Sequence, residues 1–213
     1  MKRLIVGISG ASGAIYGIRL LEVLREVESV ETHLVLSPAG RRTIVLETDY
    51  PVDRVEGLAD RVYRSGDIAA AISSGSFRSI GMVIAPCSMK TVSGIATSYS
   101  DNLLLRAADV TLKDRRRLVL LVRETPLHLG HLRLLVQVAE MGAIVMPPVP
   151  AFYHRPETLG ALIDQTVNRA LDLLEIELDQ DLFPRWPGPP GPKSRRPGDE
   201  EDAPRGPASP EGG

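Results

Sequence analysis

The stretches Ser9-Gly10-Ala11-Ser12-Gly13, Ser88-Met89-Lys90-Thr91 and Arg123-Glu124 hold the residue types in this sequence best suited to chemistry. Gly7, Gly10 and Gly13 are spaced by three, which is not the G-x-G-x-x-G of a dinucleotide fold. No Lys follows Gly13, as a phosphate loop of the nucleotide-hydrolase type would need. A short Gly/Ser turn entering a helix offers amide N–H groups, hydroxyls and the positive end of the helix dipole, which suits one terminal phosphate. The next apolar run ends in Ser37, not in the Asp or Glu that an adenosine ribose takes. A mononucleotide such as FMN therefore fits better than NAD, with Ser12 and Ser37 able to hold phosphate or ribityl oxygens. Ser88 and Thr91 add hydroxyls at a second helix start and Lys90 adds a cation. Met89 could lie against a flavin face, although gap-filling is the usual work of Met. Arg123 can grip a phosphate with two N–H groups, and the carboxylate of Glu124 beside it can move a proton.

Other candidates carry less. His128 and His131 have helical ligand spacing, but no third ligand lies nearby, and a turn that starts the next helix accounts for them more simply. The single Cys87 follows Pro in an apolar setting without a paired His, which favours a structural thiol. Lys113 opens a basic run to Arg117 that reads as a solvated face, though Lys113 could point inward. Tyr153 and Arg169 show nothing in their local pattern.

The elements that must position these residues alternate. Buried-strand patterns at Arg3–Ile8, Thr32–Leu36, Ile80–Ala85, Leu118–Val122 and Ala143–Met146 alternate with helical periodicity at 14–27, 38–48, 92–98, 102–108, 129–141 and 157–174. Ser37 with Pro38, and Asp101, read as helix starts, Gly142 as a helix stop, and Pro86 as the end of a strand. Such alternation predicts an α/β fold: a doubly wound, mainly parallel sheet in a Rossmann-like (flavodoxin-like) three-layer architecture. Ligands in such sheets bind beyond the carboxyl ends of the strands, which gathers Ser9–Gly13, Ser37, Pro86–Thr91, Arg123–Pro126 and Pro147–Tyr153 at one edge. The 213 residues, 43% hydrophobic and 24% charged with a net charge of −2, describe one ordinary globular domain. That charge gives no reason to expect nucleic acid or a membrane surface as partner, no apolar run is long enough to span a bilayer, and one Cys suits a reducing, cytoplasmic setting. Residues 1–183 form the domain. From Pro184 to Gly213 half of the residues are Pro or Gly, a composition read as a largely disordered tail with Trp186 as its one anchor.

The segments GISGASGAIYG (Gly7–Gly17), PCSMKT (Pro86–Thr91), the run Asp101–Leu135, MPPVPAFYHRP (Met146–Pro156) and TVNRALD (Thr166–Asp172) resemble the UbiX-type flavin prenyltransferases, of the homo-oligomeric flavin-containing Cys decarboxylase fold group. The resemblance runs from Met1 to about Trp186. It implies an enzyme that joins the dimethylallyl group of dimethylallyl monophosphate to N5 and C6 of reduced FMN without a metal, and delivers prenylated FMN to a UbiD-type decarboxylase in ubiquinone or aromatic-acid metabolism. It implies FMN contacts at Gly10, Ala11, Ser12, Ser37, Ser88, Met89, Lys90, Thr91 and Arg123. Lys113, Arg123, Tyr153 and Arg169 would hold the prenyl phosphate, and Ser12 would lie close to the reaction. Glu124 would transfer the proton of ring closure. Glu47 would be a carboxylate reaching in from a neighbouring subunit of a dodecamer with sites at subunit contacts. A flavin-dependent aromatic-acid decarboxylase and a non-catalytic FMN carrier stand as alternatives.

Overall fold

The computed structural model describes residues 1–188; the tail assigned from composition lies mostly outside them. Six parallel strands form one sheet in the order β3-β2-β1-β4-β5-β6: β1 (Lys2–Ile8), β2 (Val30–Leu36), β3 (Arg61–Arg64), β4 (Gly81–Cys87), β5 (Arg117–Val122) and β6 (Ile144–Val145). The helices are α1 (Ala14–Arg25), α2 (Pro38–Glu47), α3 (Val52–Glu56), α4 (Met89–Ala96), α5 (Leu103–Lys113), α6 (Leu129–Glu140) and α7 (Leu159–Leu173). This is the Rossmann-like doubly wound architecture expected, and the strand order reverses between β1 and β4, where such folds open a crevice.

Side chains alternate across each strand, so the central strands feed two cores. Leu4, Val6, Ile8, Val83, Ala85, Val119 and Leu121 pack one face against residues of α1 and α7. Ile5, Val35, Met82, Ile84, Leu118, Leu120 and Val122 pack the other against α4 and α5. Gly17 sets how closely α1 lies on the sheet: a Cβ there would stand 2.2 Å from the Ala85 carbonyl oxygen and 2.7 Å from Ile8. Gly17→Ala is therefore expected to cost about 3 kcal/mol, the upper end for overpacking, measured as a lower urea midpoint. An unchanged midpoint would show that α1 can slide off β4 without penalty.

Several boundaries differ from the sequence expectation. β4 continues through Pro86 to Cys87 across a register shift, so Pro86 does not end it. α4 begins at Met89 rather than Val92, because the Ser88 side chain accepts the Thr91 N–H. Asn102, not Asp101, caps α5, accepting the Leu105 N–H at 3.1 Å. Beyond α7, Arg185 is ion-paired to Asp172 and Asp181, and the Trp186 ring lies 6.1 Å from that of Tyr153. The chain thus stays attached past Phe183. No helix of the described residues is long and apolar enough to cross a membrane.

β2 carries one buried titratable group. His33 is 3% exposed, shares Nδ1 with the Tyr63 hydroxyl at 3.0 Å and meets the Phe77 ring edge-on at 4.9 Å. Its Nε2 has no hydrogen-bond partner, with Glu31 at 3.7 Å. Burial pushes its pKa down, outweighing the pull of Glu31. The unfolded chain, with a His pKa of about 6.5, then binds the proton more readily than the folded one. Stability is expected to be full above that pH and to fall as pH drops through it, until the folded His33 also charges. Denaturant midpoints between pH 7 and 5 check this; His33→Gln should flatten the slope, and an equally steep slope in that variant would clear His33 of the effect.

Candidate active site

The carboxyl ends of β1, β2, β4 and β5 are stitched together by short polar links. Ser9 sits at the centre: its hydroxyl donates to the Pro86 carbonyl at 2.8 Å and its Oγ accepts the Ser88 N–H at 2.8 Å. Ser37 N–H donates to the Ile8 carbonyl, and Arg123 N–H to that of Cys87, both at 3.0 Å. Ser9 is 1% exposed and therefore shapes the cradle without lining it. The sequence reading offered its hydroxyl to a phosphate; the structure instead commits it to Pro86 and Ser88, out of reach of a ligand. Within this frame the turn 10–13, Ser37, Ser88–Thr91, Arg123 and Glu124 converge on one edge of the sheet.

The helix starts around that edge differ in what they leave free. At α1, where the sequence reading placed a phosphate, Glu47 is already bound: its Oε2 accepts Gly13 N–H at 2.7 Å and Ala14 N–H at 3.4 Å. Partial burial raises the Glu47 pKa, but the bonds from Gly13, Ser12 and Ala14 and the charge of Arg123 outweigh it and hold the carboxyl below its ordinary value. Within the single chain described, Glu47 thus meets the turn that precedes α1. Ser37 and Ser88 cap α2 and α4 by accepting from Gly40 N–H at 2.9 Å and Thr91 N–H at 3.3 Å. Helix geometry leaves the amides of Met89 and Lys90 without intrahelical partners. Those N–H groups and Arg123 form a donor set for an anion, with the exposed Ser12 hydroxyl, turned to Glu47, beside them. Gly10 lets this turn lie against α2, since a Cβ there would stand 2.3 Å from that of Ala39. The donor set suits the single phosphate and polar edge of FMN.

Glu124 follows Arg123 beyond β5, exposed, with Oε1 accepting the Thr125 N–H at 3.1 Å. Met89 is 8% exposed and packs in the core on the α4 side, so it fills space there. Cys87 is fully buried and its thiol is pushed far up by burial alone, which keeps it protonated and unreactive. His128 uses Nδ1 to cap α6, accepting from Gly130 N–H at 3.0 Å and His131 N–H at 3.3 Å.

The remaining sequence candidates lie elsewhere in the chain. Lys113 ends α5, which runs back to the start of β5, so it sits at the edge of the sheet opposite the cradle. There its Nζ is 3.7 Å from Asp114, in a basic cavity with Arg115, Arg116 and Arg117. Tyr153 and Arg169 do meet, in an open cavity of about 580 Å³ that they line with Phe183, Arg185 and Trp186. No cradle residue lines that cavity. A cavity of about 600 Å³ between α1 and residues 177–182 is walled by Glu22, Glu26, Glu28, Glu177 and Asp179, and would repel a phosphate. Phe183 and Arg185 went unnoticed as cavity residues, because nothing in their local pattern marks them.

A doubly wound α/β domain with a mononucleotide cradle at its strand ends defines a flavoprotein, and the Flavoprotein family model matches residues 1–169. The chain belongs to the UbiX-type flavin prenyltransferases. It is 67% identical over 188 residues to the flavin prenyltransferase UbiX of Escherichia coli (strain K12), covering 88% of this chain and 100% of that protein. Its fold matches AnUbiX (PadA1), solved in complex with FMN and dimethylallyl pyrophosphate, with a TM-score of 0.85 and 50% identity over 88% of this chain and 98% of that one. It also matches a dodecameric FMN-dependent UbiX-like decarboxylase from Escherichia coli O157:H7, with a TM-score of 0.83 and 49% identity over 87% of this chain and 99% of that one.

Proposed function

We propose that this chain is a metal-independent flavin prenyltransferase that joins the dimethylallyl group of dimethylallyl monophosphate to reduced FMN, at N5 and C6. The observation that carries the reading is the cradle itself: free amides and Arg123 beside an exposed carboxylate at the stitched strand ends, with Ser12 at their edge. Reduced FMN supplies the nucleophilic atoms.

The protein's own residues do the rest. Gly10–Ser12, Ser37, Ser88–Thr91 and Arg123 hold the acceptor through its phosphate and polar edge. Arg123 also concentrates positive charge near the leaving phosphate, with Lys113 and Arg169 as further cations. Tyr153 supplies an electron-rich face for the allylic group, whose positive charge grows as its C–O bond to phosphate breaks. On ring closure the allylic double bond is consumed and takes up a proton as the bond to C6 forms, and Glu124 takes the proton lost at C6. Glu47 orders the turn that carries Ser12.

Since Lys113, the Tyr153–Arg169 cavity and the cradle stand apart in one chain, a complete site draws them from neighbouring subunits of a dodecamer. Large apolar side chains left exposed in the single chain support assembly: Leu129 is 60%, Val136 57%, Val149 70% and Phe152 72% exposed. The product serves a UbiD-type decarboxylase in the cytoplasm. The test is reactivation: a decarboxylase stripped of its flavin should regain activity after this protein, reduced FMN and dimethylallyl monophosphate are added together, and not when any one is omitted. Equal reactivation by FMN and the protein alone would instead mark it as a carrier.

A further inference from the structure

The cavity lined by Tyr153 and Arg169 has a support that the proposed chemistry leaves unused. On the last turn of α7, Asp172 accepts from Arg169 Nη1 at 2.8 Å and from Arg185 Nη1 at 2.9 Å on Oδ2. Its Oδ1 accepts from Arg185 Nη2 at 2.9 Å and Asn168 Nδ2 at 3.3 Å. Arg185 is in turn held by Asp181, through Nε and Nη2 at 2.6 Å each. Asn168, 1% exposed, accepts the Leu182 N–H at 2.8 Å through its own Oδ1. Residues 181–186 are thereby laced along α7, which puts Phe183, Arg185 and Trp186 opposite Tyr153 around the cavity.

We propose that Asp172 is a positioning residue for the prenyl phosphate, acting through Arg169, which it pins directly, and through Arg185, whose fork it locks to the same wall. The inference rests on the reading of Arg169 as a phosphate ligand. A free Arg side chain gives up rotamer freedom when a ligand fixes it. One N–H group of Arg169 engaged on Asp172 removes part of that cost in advance and leaves the other donors to the cavity. Hydrogen bonds from Arg185 and then Arg169 outweigh partial burial and hold the Asp172 carboxyl below its ordinary value, so the pin is charged at neutral pH. A carboxylate so near a phosphate would by charge alone oppose its binding. Positioning and simple repulsion therefore predict opposite signs when the charge is removed.

The experiment varies dimethylallyl monophosphate at saturating reduced FMN, with the full-length variants D172N, R185K, R169A and the double variant R169A/D172N, and follows FMN affinity and thermal midpoint in parallel. D172N is expected to raise KM for the phosphate about tenfold, with kcat within about threefold and FMN affinity unchanged. R185K, which keeps the cation and loses the fork, should raise KM by a smaller factor. The double variant should raise KM by less than the product of the two single effects, since part of the action of Asp172 passes through Arg169 and only the Arg185 part remains. An unchanged or lowered KM in D172N overturns the proposal, a lowered one showing that the carboxylate only opposes the phosphate. A parallel loss of FMN affinity and thermal midpoint also overturns it, as the signature of a purely structural residue; should D172N fail to fold, R185K alone decides by the same criteria. If R169A itself leaves KM unchanged, the reading of Arg169 as ligand has failed, a result separate from R169A raising KM while D172N does not.

Discussion

Replacing Glu124 by Gln is expected to lower prenyl transfer about a hundredfold or more while FMN still binds, because a positioned acid–base group contributes on that scale. The side chain stands beyond the end of β5, beside Arg123, and its only hydrogen bond among the described residues is the accepted Thr125 N–H at 3.1 Å. Gln preserves the volume and that acceptor and loses the capacity to take a proton. The fold should be untouched, since Glu124 is exposed and lies in neither hydrophobic core. Turnover is measured as modified flavin formed per minute, and binding by flavin fluorescence. A variant that turns over at the normal rate would take the proton-transfer role away from Glu124.

The second large effect concerns where the cations come from. Lys113→Ala is expected to be nearly inactive despite lying at the far edge of its own sheet from the cradle. When co-assembled with the inactive Glu124→Gln chain, it should regain about a quarter of the wild-type sites, the fraction expected if cradle and Lys113 are drawn at random from two chains. Purified hetero-oligomers carrying different affinity tags make the measurement straightforward. Activity no higher than the sum of the two inactive parents would mean that each chain builds its site alone. Lys113 would then have to act in some way its position at the end of α5 does not suggest.

Much of this was legible in the sequence for physical reasons. Parallel strands buried on both faces must be apolar runs, and the polar residues that interrupt them at Ser9, Ser37, Ser88 and Arg123 mark the strand ends where a doubly wound fold places its ligands. Local pattern misplaced the start of α4, because Ser-Met-Lys-Thr shows no apolar period even though the Ser88 cap fixes the helix start one residue later. It also credited Asp101 with the cap that Asn102 makes. The long-range contacts had no local trace. Glu47 satisfies amides 34 and 33 residues away in sequence, so the α1 terminus that looked open to a phosphate is occupied by a carboxylate of the same chain. Arg185 and Trp186 sit in a Pro- and Gly-rich stretch that composition separates from the domain, yet Asp172 and Asp181 tie Arg185 back to it. Spacing in sequence could not distinguish Lys113, at one edge of the sheet, from Arg123, at the other; only the direction of α5 does.

The central claim is a transfer of carbon to flavin, and it is tested most directly by mass. The protein, reduced FMN and dimethylallyl monophosphate are mixed without oxygen and without added metal, and the released flavin is weighed. The account predicts a flavin heavier by one five-carbon unit, formed in proportion to phosphate released. Unmodified FMN, recovered from protein shown to have bound both substrates, would contradict it.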